Sequence, residues 1–213
     1  MTRALLLLAC LCALSTLPGC RFVKTGSVQS GTPSGTSDPK ARAEAVWKNR
    51  MIAYAGAKAM PYADLAAALA AGSDATVKAH GFRAGSDAKP VLYVRFDGMV
   101  TDANTVIRAG TIDVDVDHDG KPDLIVQIGP VIRGSALRDG LDFTPFSSFS
   151  NQIDYADFSR ALNAHVRDVV LKGLDRDRLK GRHVQVLGAF FLDPAQPHPL
   201  VTPIEMTVSG AAP

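Results

Sequence analysis

Four carboxylates fall within nine residues, at Asp115, Asp117, Asp119 and Asp123 of the run DVDHDGKPD. Oxygen donors at that density, with Gly120 to allow a sharp turn, suit a hard cation such as calcium, which gathers several oxygens at about 2.3–2.6 Å. Crowded carboxylates also repel one another unless positive charge intervenes, and His118 and Lys121 are the basic neighbours. The first six positions follow the EF-hand pattern, but its twelfth, ordinarily a bidentate Glu, is Val126. The same residues equally make an Asp-Gly hairpin turn whose exposed aspartates keep a sheet edge soluble.

The loop is similar to the D-x-D-x-D-G-x-x-D calcium hairpins of integrin-type β-propeller repeats, although this sequence contains no repeats. A second polar cluster lies downstream, with Arg133 and Arg138 in one segment and Asn151 and Gln152 in the next. Two arginines and two amides converging where a strand meets a helix would suit carboxylate or sugar-hydroxyl recognition. The alternative is that they brace the corner by bonding loop carbonyls and Asp139. Signatures of catalysis are missing. The five histidines, His80, His118, His165, His183 and His198, have no zinc-ligand spacing. No G-x-S-x-G elbow, phosphate loop or dinucleotide fingerprint occurs. A non-enzymatic protein is expected, with a hydrolase built on Asp139 and a histidine as the remaining catalytic reading.

The elements that must hold these clusters follow from periodicity. Beyond Pro90 the apolar period is 2: Leu92, Val94 and Phe96 mark a first strand, Ile112, Val114 and Val116 a second, and Leu124, Val126 and Ile128 a third. Val184, Val186 and Phe190 mark a fourth, and Ile204, Met206 and Val208 a fifth. Between the third and fourth, residues 152–172 form a helix capped by Asn151, with Phe158, Leu162, Val166 and Val169 as its buried stripe and Gly173 as its end. Three strands, a plugging helix and two strands is the order of an OB-type barrel. An open α+β sandwich is the competing arrangement. Upstream, 41–58, Tyr62–Ala71 and a segment from Ser73 to Gly81 read as short helices packed through Trp47, Tyr54 and Tyr62. The expected fold is therefore α+β: a five-stranded OB-like barrel over 85–213 and a small helical domain over 41–84.

The amino terminus supplies an address. Arg3 precedes an apolar run from Ala4 to Leu14, too short to span a membrane but suited to a signal peptide over 1–19. Leu17-Pro18-Gly19-Cys20 resembles a bacterial lipobox, which makes Cys20 the lipidation residue and the membrane a partner through that anchor. Residues 20–40 follow as a Gly/Ser/Thr/Pro-rich tether, whose coil of about 20 residues reaches roughly 25 Å. Arg21 rather than Asp after the cysteine favours the outer membrane, by analogy with enterobacterial sorting. All three cysteines precede Arg21, so the remainder has no disulfide and no thiolate nucleophile. A net charge of +2 with no basic block excludes extended phosphate neutralisation, and nucleic acid with it.

Three stretches together resemble a known family: the lipobox with Cys-Arg-Phe-Val-Lys, DVDHDGKPDLIVQIGPVIRGSALRD, and FSSFSNQIDYADFSRALN. They are similar to the predicted periplasmic lipoproteins of domain-of-unknown-function family 2291, over nearly all of the mature chain. The resemblance implies a periplasmic, lipid-anchored protein with a helical part joined to an OB-like barrel. It further implies an accessory role beside a sugar-type ABC transporter, the setting in which such proteins are often encoded. The family has no established activity, so no catalytic residue transfers.

Overall fold

A 14-residue strand, β1 (Val91–Asn104), carries the closure of the sheet. In the computed structural model, which describes residues 38–210, its first part pairs antiparallel with β4 (His183–Phe191) from Val91↔Phe191 to Met99↔His183. Its second part, from Met99 to Asn104, pairs with β2 (Ala109–Asp115). β2 pairs with β3 (Leu124–Pro130), β3 runs parallel to β5 (Leu200–Ser209), and β5 pairs with β4, which closes a five-strand barrel. Gly98 stands where β1 changes partner. A Cβ there would lie 2.6 Å from the Asp115 carbonyl oxygen and 2.6 Å from Val114 Cγ1, so only glycine lets β2 approach this closely.

The expected inward set of the first four strands fills the barrel: Leu92, Val94, Phe96, Ile112, Val114, Leu124, Val126, Ile128, Val184, Val186 and Phe190 share one core. In β5 the alternation breaks. The register shifts between Leu187↔Glu205 and Gly188↔Pro203, and this bulge turns Ile204 to the outer face while Val201 takes the inner one.

Three helical segments precede the barrel. α1 covers 39–58 as Pro39–Val46, a π turn Trp47–Met51 and Ile52–Lys58. Asp38 caps it by accepting from the Lys40 N–H at 3.1 Å. α2 (Tyr62–Ala71) and α3 (Ser73–His80) follow. Two-residue bridges, Met60–Pro61 and Gly81–Phe82, pin this region to β1. Leu65 and Val77 enter the barrel core. After the barrel's third strand come a short α4 (Ala136–Asp139) and α5 (Gln152–His165), which continues as a π turn, Val166–Val170.

Two corrections to the periodic reading follow. The helix after β3 does not plug the barrel: Phe158, Leu162 and Val166 of α5 join Trp47, Met51 and Ala55 of α1 in a second core on the outer face, against Tyr93, Ala189 and Ile204. Five strands have two apolar faces here, so helices are needed outside the barrel as well as at its mouth. The π turn also shifts the helical register, and Val169 is 56% exposed instead of continuing the stripe. The change of period near residue 85 lies inside a single compact unit, Thr36–Pro213, in which the helices of 41–84 share both barrel-facing cores. Cys20, the signal peptide and the tether up to residue 37 lie outside the described residues. Among the described residues no helix is long and apolar enough to cross a membrane.

The second core contains its own probe. Trp47, the one tryptophan of the chain, stacks on His165 with ring centroids 4.2 Å apart. Burial lowers the His165 pKa from its ordinary 6.5, outweighing Glu44 and Asp168, which favour the charged form. Because the folded value lies below the unfolded one, this histidine's contribution to stability is present above 6.5 and is lost as pH falls through the window beneath it. Trp47 fluorescence is expected to titrate with a midpoint under 6.5, and His165→Gln is expected to remove the transition. A midpoint at or above 6.5 in the folded protein would contradict this.

Candidate functional site

The acidic hairpin joins β2 to β3 and is organised from within. Asp115, 5% exposed, accepts from the His118 N–H at 2.7 Å through one oxygen and from the Gly120 N–H at 2.9 Å through the other. Asp123 accepts from the Val116 N–H at 2.8 Å and from the Tyr62 hydroxyl at 3.4 Å. Burial, then the Asp123 charge, pushes the Tyr62 pKa up to about 12, which keeps that hydroxyl a donor. His118 adopts a left-handed φ of 64° and Gly120 a φ of 85°, the turn that points these N–H groups inward.

Of the four aspartates, Asp115, Asp117 and Asp123 each place an oxygen within 4.8 Å of the other two. Asp119 stands apart: it accepts from the Lys121 N–H at 2.8 Å and meets the Lys121 ammonium at 3.4 Å. Those contacts hold its carboxyl below the ordinary carboxylate range.

The four residues of the polar corner go to different tasks. Arg138 donates to Asp139 at 2.7 Å and lies 3.9 Å over the Tyr155 ring. Asp139 also accepts from Ser135 at 2.5 Å and from the Tyr155 hydroxyl at 3.3 Å, so the pair is a brace between α4 and α5. Asn151 caps α5, accepting from the Asp154 N–H at 2.9 Å. Gln152 is exposed in the first turn of that helix. Arg133 borders a cavity, and among the described residues its guanidinium has no carboxylate partner.

That cavity is a groove of about 520 Å³ over β2, β3 and β5. Thr111, Ile125, Gln127, Leu200 and Thr202 form its strand-borne wall, while Arg133 and, from the β4–β5 connection, Asp193 and Gln196 stand on its loops. The parallel ladder of β3 and β5 has two registered pairs, Ile125↔Leu200 and Val126↔Val201. At the next position side chains take over: Gln127 Nε2 donates to Thr202 Oγ1 at 2.8 Å. The same amide grips the backbone of Arg133, donating to its carbonyl at 3.1 Å and accepting from its N–H at 2.7 Å. Gln127 thus sets where Arg133 leaves the sheet.

Periodicity missed Gln127, Thr202, Lys89, Asp193 and Gln196. Gln127 occupies an outward position of β3 yet is 2% exposed. A glutamine among Leu124, Ile125, Val126 and Ile128 was the available signal, since an amide in such a run needs buried partners. The loop residues carried none.

The fold is similar to that of a solved structure described as an OB-fold protein from Thermotoga maritima. The two are 17% identical, with a TM-score of 0.66, over 82% of this chain and 99% of that one. At that identity the likeness speaks for the fold alone. No curated protein matches the sequence. A family described as predicted periplasmic lipoproteins, DUF2291, matches residues 10–207, a span that takes in the acidic hairpin, the brace and all of the barrel strands but the last two residues of β5. By that match the chain belongs to the predicted periplasmic lipoproteins of family DUF2291.

Proposed function

We propose that this lipoprotein is a non-enzymatic binding protein, anchored through Cys20, that takes a small sugar-like or carboxylate-bearing ligand in the groove over β2, β3 and β5. The observation that carries the reading is Arg133, a cation without a carboxylate partner among the described residues, beside the Gln196 amide and the Thr111 hydroxyl, with the buried Gln127 and Thr202 holding its backbone in place. One unpaired guanidinium with neutral hydrogen-bonding groups fits a carboxylate on a polyhydroxylated body. OB-type barrels bind oligosaccharides on the corresponding strand 2–3 face, an analogy at the level of fold. Ser135 supports a role without turnover, because its hydroxyl donates directly to Asp139 with no histidine between them. Titration with glucuronate, with glucose as the neutral control, is the test. Saturable binding of glucuronate is expected, weakened at least about tenfold by Arg133→Ala. Equal binding to the variant would remove the reading.

The accessory part of the proposal, work beside a sugar-type ABC transporter, rests on the family. Crosslinking the lipidated protein in its own cells is expected to recover such a transporter's binding protein; bulk envelope proteins alone would count against it. Residence in the outer membrane rests on Arg21, and fractionation of the two membranes tests it.

A second reading concerns the hairpin. The three oxygens of Asp115, Asp117 and Asp123 within 4.8 Å support a calcium-stabilised turn. Millimolar calcium is expected to raise the melting temperature and Asp117→Ala to abolish the rise. A melt indifferent to calcium and to chelator would end this reading.

A further inference from the structure

A second depression adjoins the groove. It has a volume of about 470 Å³ and is bordered by Phe146 and Tyr155 together with Ala84 and Ala88 of the segment before β1. Lys89 and Phe191 border both depressions. Their chemistry differs. The first carries Arg133, Gln127, Gln196 and Thr202; the second is bordered by three rings, Phe146, Tyr155 and Phe191, with Asp139 already bonded to Ser135, Arg138 and Tyr155. Phe146 is 52% exposed, an unusual position for a phenyl ring that meets Tyr155 only edge-on, with centroids 5.3 Å apart. At the junction, Lys89 reaches Asp193 at 2.5 Å, and its side chain is 61% exposed.

We infer that the two depressions are lobes of one site, which takes an elongated ligand with a carboxylate-bearing polar head at Arg133 and a ring or apolar group at Phe146 and Phe191. This deepens the proposed function and rests on the groove being a ligand site. A polar head alone leaves the exposed phenyl of Phe146 in water, whereas a ligand reaching past Lys89 covers it and gains the apolar contact. Aromatic rings offer that contact to a phenyl group or to the apolar face of a second sugar ring alike. The Lys89–Asp193 pair supplies a charged waist that a neutral glycosidic linkage can cross without leaving a buried charge unpaired.

Two probes separate the lobes: methyl β-D-glucuronide, which carries the head alone, and phenyl β-D-glucuronide, which adds a ring. Calorimetric titration of the mature protein is expected to show the phenyl glycoside binding about tenfold tighter than the methyl glycoside. Phe146→Ala is expected to erase that gain and leave the methyl glycoside unchanged. Ala84→Phe, which crowds the second lobe from an exposed loop position, is expected to do the same without removing a packed ring. If the methyl glycoside binds but the ring adds nothing, or its gain survives both variants, the two-lobe inference is overturned and the groove stands. If neither glycoside binds the wild-type protein, the groove reading falls with it.

Discussion

Asp115→Ala is expected to lower the unfolding free energy by about 3–6 kcal/mol, the sum of two charge-assisted hydrogen bonds lost from a buried turn. Its two oxygens hold the His118 and Gly120 N–H groups, and those donors point inward because His118 and Gly120 have positive φ. Removing the acceptor leaves a strained turn with nothing to stabilise it, at the point where β2 hands the chain to β3. Asp115→Asn keeps one acceptor oxygen and is expected to fall between the alanine variant and the parent. Asp119→Ala, at the exposed tip, is expected to leave the urea midpoint nearly unchanged. The comparison also separates a structural hairpin from a metal site, because all of these melts are run in chelator. If Asp115→Ala and Asp119→Ala unfold at the same midpoint, the carboxylate of Asp115 does not organise the turn.

Gln127→Ala is expected to cost about 3 kcal/mol and to abolish glucuronate binding along with it. Three hydrogen bonds end on this one buried amide, two to the Arg133 backbone and one to Thr202. They bridge β3, β5 and the loop where the registered β3–β5 pairs end. Thr202→Val removes only the bond to β5, so a smaller loss of stability is expected, with Arg133 still held. Hydrogen exchange gives the local readout: the Arg133 amide is expected to lose protection in Gln127→Ala and to keep it in Thr202→Val. Full protection of that amide in Gln127→Ala would show that the loop is positioned by something else.

These two residues show how differently the sequence exposed its parts. Asp115 stood in a dense acidic run with a glycine, so an Asp-Gly turn was readable from local chemistry, but its aspartates read as exposed and the buried acceptor role of Asp115 did not show. Its neighbour Asp119 looked equivalent and is not: it turns to the Lys121 N–H and ammonium, away from the oxygens that Asp115, Asp117 and Asp123 bring together. Gln127 had the outward phase of its strand and passed for a surface amide. The loop at Arg133, six residues further on, and Thr202 of β5 cover it, and periodicity has no term for coverage by another segment. Arg133 and Arg138 shared the same two expected tasks, ligand recognition or a brace to Asp139, because composition placed both in the corner; the contacts with Asp139 and Tyr155 give Arg138 the brace.

The sequence by itself determined the inward faces of the first four strands, the cap of α5 and the lipoprotein address, all of which depend on neighbours a few residues apart. Local periodicity is enough where burial repeats every second residue or once per turn. Only the tertiary structure decided that α5 lies outside the barrel with α1, that a bulge turns Ile204 outward, and that Val169 rotates into solvent past a π turn. It also decided that Arg133 meets residues from β2, β5 and the β4–β5 connection in one groove. Each of these depends on which of two apolar faces a segment finds, and that choice is made by packing between elements far apart in the chain.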